Sequence, residues 1–223
     1  MENQEKDQKV HLPVIDETEL LPTEKAHTSF SELTVHEECS WKHMLVYVKK
    51  LGNDKGNIHT AYGKMIHSNI ENYLLNSVEP MQTEEQKVEE KQKFLEALKE
   101  TELEYKDEEV EDYFQAAVRA LTAFPEWFKK NYPDAEVVGV EIPLFEEVPE
   151  LKNRFFKGYI DCVLKLPKKP RKGSKKPAEG HYYLVIDWKT TSWGWTREKK
   201  QDFAKLKQLA FYKHYLSQKY NVP

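Results

Sequence analysis

The stretch "HYYLVIDWKTTS", residues 181–192, decides how the chain is read. Tyr182 to Ile186 form an unbroken apolar and aromatic run, the composition of a buried strand. Asp187 ends the run, and Lys189 follows two residues later. Side chains of a strand alternate between faces, so Asp187 and Lys189 point one way and Trp188 the other. A strand built for burial has no structural need of an acid and a base at its end. One reading makes them an ordinary surface ion pair. The other gives them partners elsewhere in the chain.

Two further strands precede this one after Pro133: "EVVGVEIPL" (136–144) and "RFFKGYIDCVLKL" (154–166), both rich in Val, Ile, Tyr and Phe. The third spans "HYYLVIDWKT" (181–190). The loop "PKKPRKGSKKPAEG" joins the last two as a long hairpin connection. Helical spacing surrounds them. A helix starts at Ser29 or Ser31 and runs to Leu51, and a turn, "GNDKGN", fills 52–57. A second helix covers 58–75, with Ile66, Ile70, Tyr73 and Leu74 on one face. Residues 84–112 read as two solvated, charge-rich helices, and 111–132 as another that ends or breaks near Pro125. The final helix, 197–220, sets Phe203, Leu206, Leu209 and Ala210 at helical spacing. The expected class is α/β in the loose sense, or α+β: a small mixed, mostly antiparallel sheet flanked by helices. Residues 1–27 read as a flexible arm, 28–223 as one domain, and about 80–132 as a helical insertion in it.

Composition narrows the function classes. The 223 residues are 39% hydrophobic, 32% charged and 12% aromatic, enough for a core. No apolar run nears the ~20 residues that span a bilayer, and "MENQEKDQKV" lacks a signal peptide's apolar stretch. The chain therefore reads as intracellular, without a membrane role. Cys39 and Cys162 alone cannot build a tetrahedral zinc site. The net charge of −4 argues against general coating of nucleic acid, but a local basic patch remains open to it.

Asp161 follows the apolar "FFKGYI" of its strand much as Asp187 follows "YYLVI". If those strands pair, the two carboxylates meet at one end of the sheet, where they repel unless protonated or bridged by a cation. Oxygen donors select a hard cation, Mg²⁺ or Mn²⁺. A lysine beside them can position an attacking water or offset charge on a phosphodiester. Gln208 and Tyr212 share a helix face at i,i+4, with Lys205 one turn earlier, and such a row can contact phosphates or stack on a base. Tyr212 reads equally as a half-buried core residue. His67 lies between Ile66 and Ile70, and Glu71, one turn on, can orient it or simply meet solvent.

"GYID" (158–161), "VIDWKT" (185–190), "QLAFY" (208–212) and "YGKMIHSNIENYL" (62–74), in this order, resemble the PD-(D/E)XK nuclease superfamily, in particular its RecB-type branch. The resemblance covers roughly 29–220 and implies a restriction-endonuclease-like core with an N-terminal helical region. It implies that His67, Asp161, Asp187 and the backbone carbonyl of Trp188 hold the metal, and that Lys189 is the catalytic lysine. Gln208 and Tyr212 match the QxxxY motif. Glu141, inside the apolar "GVEIPL", matches an acid that relatives often place on the preceding strand; an outward-facing position competes with that reading. Some relatives hold an iron–sulfur cluster on four cysteines. Cys39 falls where the first could lie, but the other three are missing, so no cluster is expected. Relatives continue past the QxxxY helix with another strand. Here the sequence stops at Pro223, so the sheet is trimmed, or a protein partner completes it, or the chain has been cut there.

Residues 165–176 hold seven positive charges: Lys165, Lys168, Lys169, Arg171, Lys172, Lys175 and Lys176. They read as a phosphate-contacting hairpin, or as a solvated loop. Trp193 and Trp195 can stack on bases or cap the core from a loop. The expected function is Mg²⁺- or Mn²⁺-dependent DNA cleavage, as an exonuclease or end-processing enzyme of recombination, repair or viral DNA processing, in a bacterial or virus-infected cytoplasm. A nuclease fold that binds or assembles without cutting is the alternative. A two-carboxylate glycosidase would leave Lys189 and the QxxxY helix unexplained.

Overall fold

The computed structural model describes residues 26–52, 55–149, 151, 153–169, 179–191 and 194–222. The expected flexible arm lies outside these residues, save for Ala26 and His27. The elements run β1 (His27–Ser29), α1 (Phe30–Glu38), α2 (Ser40–His43), one π-helical turn (Met44–Val48), α3 (Ile58–Asn76), α4 (Glu84–Glu100) and α5 (Asp107–Asn131). Then come β2 (Glu136–Glu147), β3 (Phe155–Pro167), β4 (His181–Ile186), α6 (Arg197–Lys200) and α7 (Phe203–Tyr220). They divide into two compact units. One takes the chain up to Phe30 with Ala135–Ile186 and Phe203 onward; the other takes Ser31–Asp134 and Asp187–Asp202.

In the first unit β3 is the spine of a four-stranded mixed sheet. Along one edge β2 runs antiparallel to it, from Glu136 opposite Lys165 to Glu147 opposite Phe155. Two strands divide the other edge. β1 pairs in parallel with Phe155–Lys157, and β4 pairs antiparallel with Cys162–Pro167. An irregularity between Val137 and Gly139 shifts the β2 register by one residue. A Cβ on Gly139 would lie 2.3 Å from Ile142 Cδ1, so any other residue there would have to displace the Ile142 side chain. A core forms between the sheet and α7: Ile142, Leu144, Phe156, Ile160 and Val163 against Tyr212, Tyr215 and Leu216. Phe156 stacks on Tyr215 at 4.5 Å.

The second unit is helical. Asn57 and Thr60 close a capping box on α3, and Thr83 and Gln86 close another on α4. α5 carries Asp107, Glu108 and Glu109 in its first turn and Lys129 and Lys130 in its last, matching the helix dipole at both ends. Its buried row, Val110, Phe114, Ala117, Leu121 and Phe124, meets an aromatic cluster in which Tyr73 of α3 lies edge-on to Phe124 and Phe128.

Several expectations need correction. β1, three residues long, shows no periodicity of its own; its pairing with β3 creates it. The helix expected from Ser29 to Leu51 breaks at Cys39, whose backbone is extended and whose thiol accepts a hydrogen bond from Lys42 N. α5 does not end at Pro125. The proline is buried within the helix, between Phe124 and Phe128, which both meet Tyr73 edge-on. β4 ends at Ile186, so Asp187–Thr190 extend beyond the ladder. The last helix splits at Gln201–Asp202, after a short turn capped by Thr196. Phe203 and Leu206 are exposed, and the buried residues are Tyr212, Tyr215 and Leu216.

The two thiols differ sharply. Cys39 is exposed; Cys162 is fully buried, and burial, with Asp161 alongside, pushes its thiol up to about 12. At pH 8 Cys162 therefore stays protonated and sheltered. A disulfide reagent should titrate Cys39 in the native protein and Cys162 only after denaturant is added. Two fast native thiols would contradict this packing.

Candidate active site

The residues singled out in the sequence fall into four local pairs. The first is on the sheet. Val140 pairs with Cys162 and Ile142 with Ile160, so the register sets Glu141 opposite Asp161. Their carboxylate oxygens lie within 4.8 Å of one another. Asp161 is only 9% exposed. Glu141 has φ +49°, left-handed backbone in the middle of a strand, which costs a non-glycine residue about 1 kcal/mol or more. Strain of this kind is held in place by surrounding structure, here the ladder on either side. Two hard oxygen donors at this separation suit one divalent cation, and the pair would be unfavourable without a compensating charge.

The second pair follows β4. Lys189 Nζ lies 2.7 Å from Asp187 Oδ2 and 2.9 Å from Oδ1. The Asp187 side chain is 8% exposed and that of Lys189 34%, so the carboxylate is sheltered while the ammonium reaches solvent. This is the i,i+2 ion pair that one reading of the sequence held open, but with the acid largely out of water. Trp188, between them, packs edge-on against Phe124 of α5 at 5.6 Å. Further on, Lys199 donates to Thr191 Oγ1 at 3.0 Å and so ties α6 to the segment that carries Lys189. Nothing in the sequence pattern marks Thr191 or Lys199 for that work.

The third pair is on α3. His67 and Glu71 are half-buried, one turn apart. Burial pushes the Glu71 carboxyl up, and the nearby His67 pulls it back down.

The fourth is on α7. Gln208 Nε2 donates to the Tyr212 hydroxyl at 3.0 Å. Tyr212 is 6% exposed, edge-on to Phe156. A Cβ on Gly158 would lie 3.0 Å from the Tyr212 ring, so the glycine of "GYID" makes room for it. Of the two readings open for Tyr212, its burial fits the core phenol, with its hydroxyl accepting the hydrogen bond from Gln208. Lys205 is half-buried one turn before Gln208.

Of the basic loop, Lys172 with Arg171, Lys175 and Lys176 lies outside the described residues, as does Trp193. Lys165 pairs with Glu136 at 3.3 Å, Lys168 and Lys169 are exposed, and Trp195 is 41% exposed. No described helix is long and apolar enough to cross a membrane.

No curated protein matches the chain. A family model does: that of the PD-(D/E)XK nuclease superfamily, over residues 27–223, from the first residue of β1 to beyond the end of α7. With a mixed sheet whose central strand carries a buried acid, and an acid–lysine pair directly after the neighbouring strand, the chain belongs to that superfamily of nucleases.

Proposed function

We propose that the chain is a RecB-type, divalent-metal-dependent deoxyribonuclease, with 28–223 as its nuclease domain, acting on DNA ends in recombination, repair or viral DNA processing in the cytoplasm. The observation that carries this reading is the Glu141–Asp161 carboxylate pair on adjacent strands of a superfamily member. The proposed ligands of Mg²⁺ or Mn²⁺ are Asp161, Asp187, His67 and the Trp188 carbonyl, with Glu141 promoted from accessory acid to equal candidate. The chemistry such a cation supplies is polarisation of a phosphoryl oxygen and activation of water.

The protein's own groups do the rest. Asp187 holds the Lys189 ammonium in one position, and that charge offsets the negative charge growing on phosphorus oxygens or places the attacking water. Glu71 keeps the His67 ring oriented. Tyr212 holds Gln208, and Gln208 and Lys205 meet the phosphate backbone, as does the basic loop around Lys172.

The test is incubation with linear DNA, circular DNA and RNA in Mg²⁺, Mn²⁺ or EDTA. Metal-dependent cleavage of linear DNA, faster than of circular DNA, is expected. Binding without cleavage in either metal would instead favour a nuclease fold that no longer cuts.

A further inference from the structure

Beside Lys189 the helical unit holds an open cleft of about 340 Å³. Ala120, Ala123, Phe124 and Trp127 supply one wall, spaced i, i+3, i+4 and i+7 along one face of α5. Ile66 and Ile70 of α3 supply another, and Trp188 a third. Lys189 is the only charged side chain among the described residues that line it, and Thr190 stands next to it. The two alanines leave the space that larger residues on this face would fill. Trp127 remains 45% exposed, so a large aromatic ring is held at the cleft with much of its surface in water. Phe124 supports both indoles, Trp127 at 5.8 Å and Trp188 at 5.6 Å.

An occupant must offer a flat apolar body to aromatic walls and an anion to one lysine. An unstacked nucleotide offers both. The volume falls at the small end of ligand clefts, roughly 300–1,000 Å³, and is enough to admit a nucleobase. Lys189 is the residue assigned above to the scissile phosphate, so a base held here belongs to a nucleotide next to the cut.

We infer that this cleft is a base pocket that takes one unstacked nucleobase of a single-stranded nucleic acid and sets its phosphate at Lys189. The inference rests on the nuclease reading for the role of Lys189, and it names the substrate class: single strands and frayed ends, because a paired base must first leave its stack to enter. Trp127, Ala120 and Ala123 are then specificity residues that touch the substrate base.

Binding and cleavage test it separately. A thymidine oligonucleotide and an abasic oligonucleotide of equal length carry the same phosphates and differ only in bases. Their affinities for the full chain are measured in Ca²⁺ by fluorescence anisotropy. The wild type should prefer the thymidine strand about tenfold or more, the size of one base–aromatic stack. Trp127→Ala and the cleft-filling Ala123→Leu should each cut that preference at least fivefold. Circular dichroism checks that both fold, and Trp127→Ala, a change at a half-exposed ring, decides if Ala123→Leu does not. No preference in the wild type, or an undiminished one in the folded variants, overturns the pocket. Cleavage of the same thymidine strand in Mn²⁺ is scored apart. Its absence with the preference intact overturns the nuclease reading and leaves the base pocket standing.

Discussion

Lys189→Ala is expected to lower kcat for DNA cleavage about 10²- to 10³-fold, the usual loss when one preorganised charge-stabilising group is removed from a site. KM should change little, since one contact among many phosphate contacts contributes little to binding, whereas charge that grows only during reaction is felt in kcat. The geometry supports a fixed cation: Nζ meets both Asp187 oxygens, at 2.7 and 2.9 Å, and the partner acid is sheltered. Lys189→Arg separates charge from shape. It keeps the positive charge but replaces a compact ammonium with a planar fork, so partial activity is expected. Removing the lysine also leaves Asp187 without its cation, so thermal unfolding must be followed beside the rate. A variant that melts like wild type and cuts at the wild-type rate would remove Lys189 from the mechanism.

Mn²⁺ should raise the melting temperature of the wild-type chain by about 5–10 °C at a hundredfold excess over its Kd. That excess corresponds to about 2.7 kcal/mol of linkage, and a chain of this size shifts about 2–4 °C per kcal/mol. Glu141→Gln and Asp161→Asn should each lose most of the shift, because each removes a charged donor from a pair within 4.8 Å. This comparison needs no substrate. Equal shifts in all three proteins would remove the sheet acids from any metal site.

The strands β2, β3 and β4 were legible because β-branched and aromatic residues fill them. The Asp187–Lys189 ion pair was one of two readings open in the sequence, and Gln208–Tyr212 followed from helical spacing. Glu141 was harder. Its direction depends on the register shift at Val137 and Gly139, and a slip of one residue turns every side chain to the opposite face. Nothing local announces such a shift. α7 failed differently. Apolar residues occur on more than one of its faces, so spacing could not choose between Phe203 and Leu206, which are exposed, and Tyr215 and Leu216, which are buried. Tyr212 stayed open between two readings because a phenol suits a core and a surface equally until its neighbour Gly158 is seen beneath it.

The left-handed backbone at Glu141 has a consequence for anyone breeding sturdier forms of this protein. Glycine is at home in that conformation and would also remove one of two crowded acids. A library selected only for heat resistance should therefore drift toward glycine at position 141, and its winners should be robust and idle. A library selected for DNA cleavage should keep the glutamate and gain its robustness elsewhere.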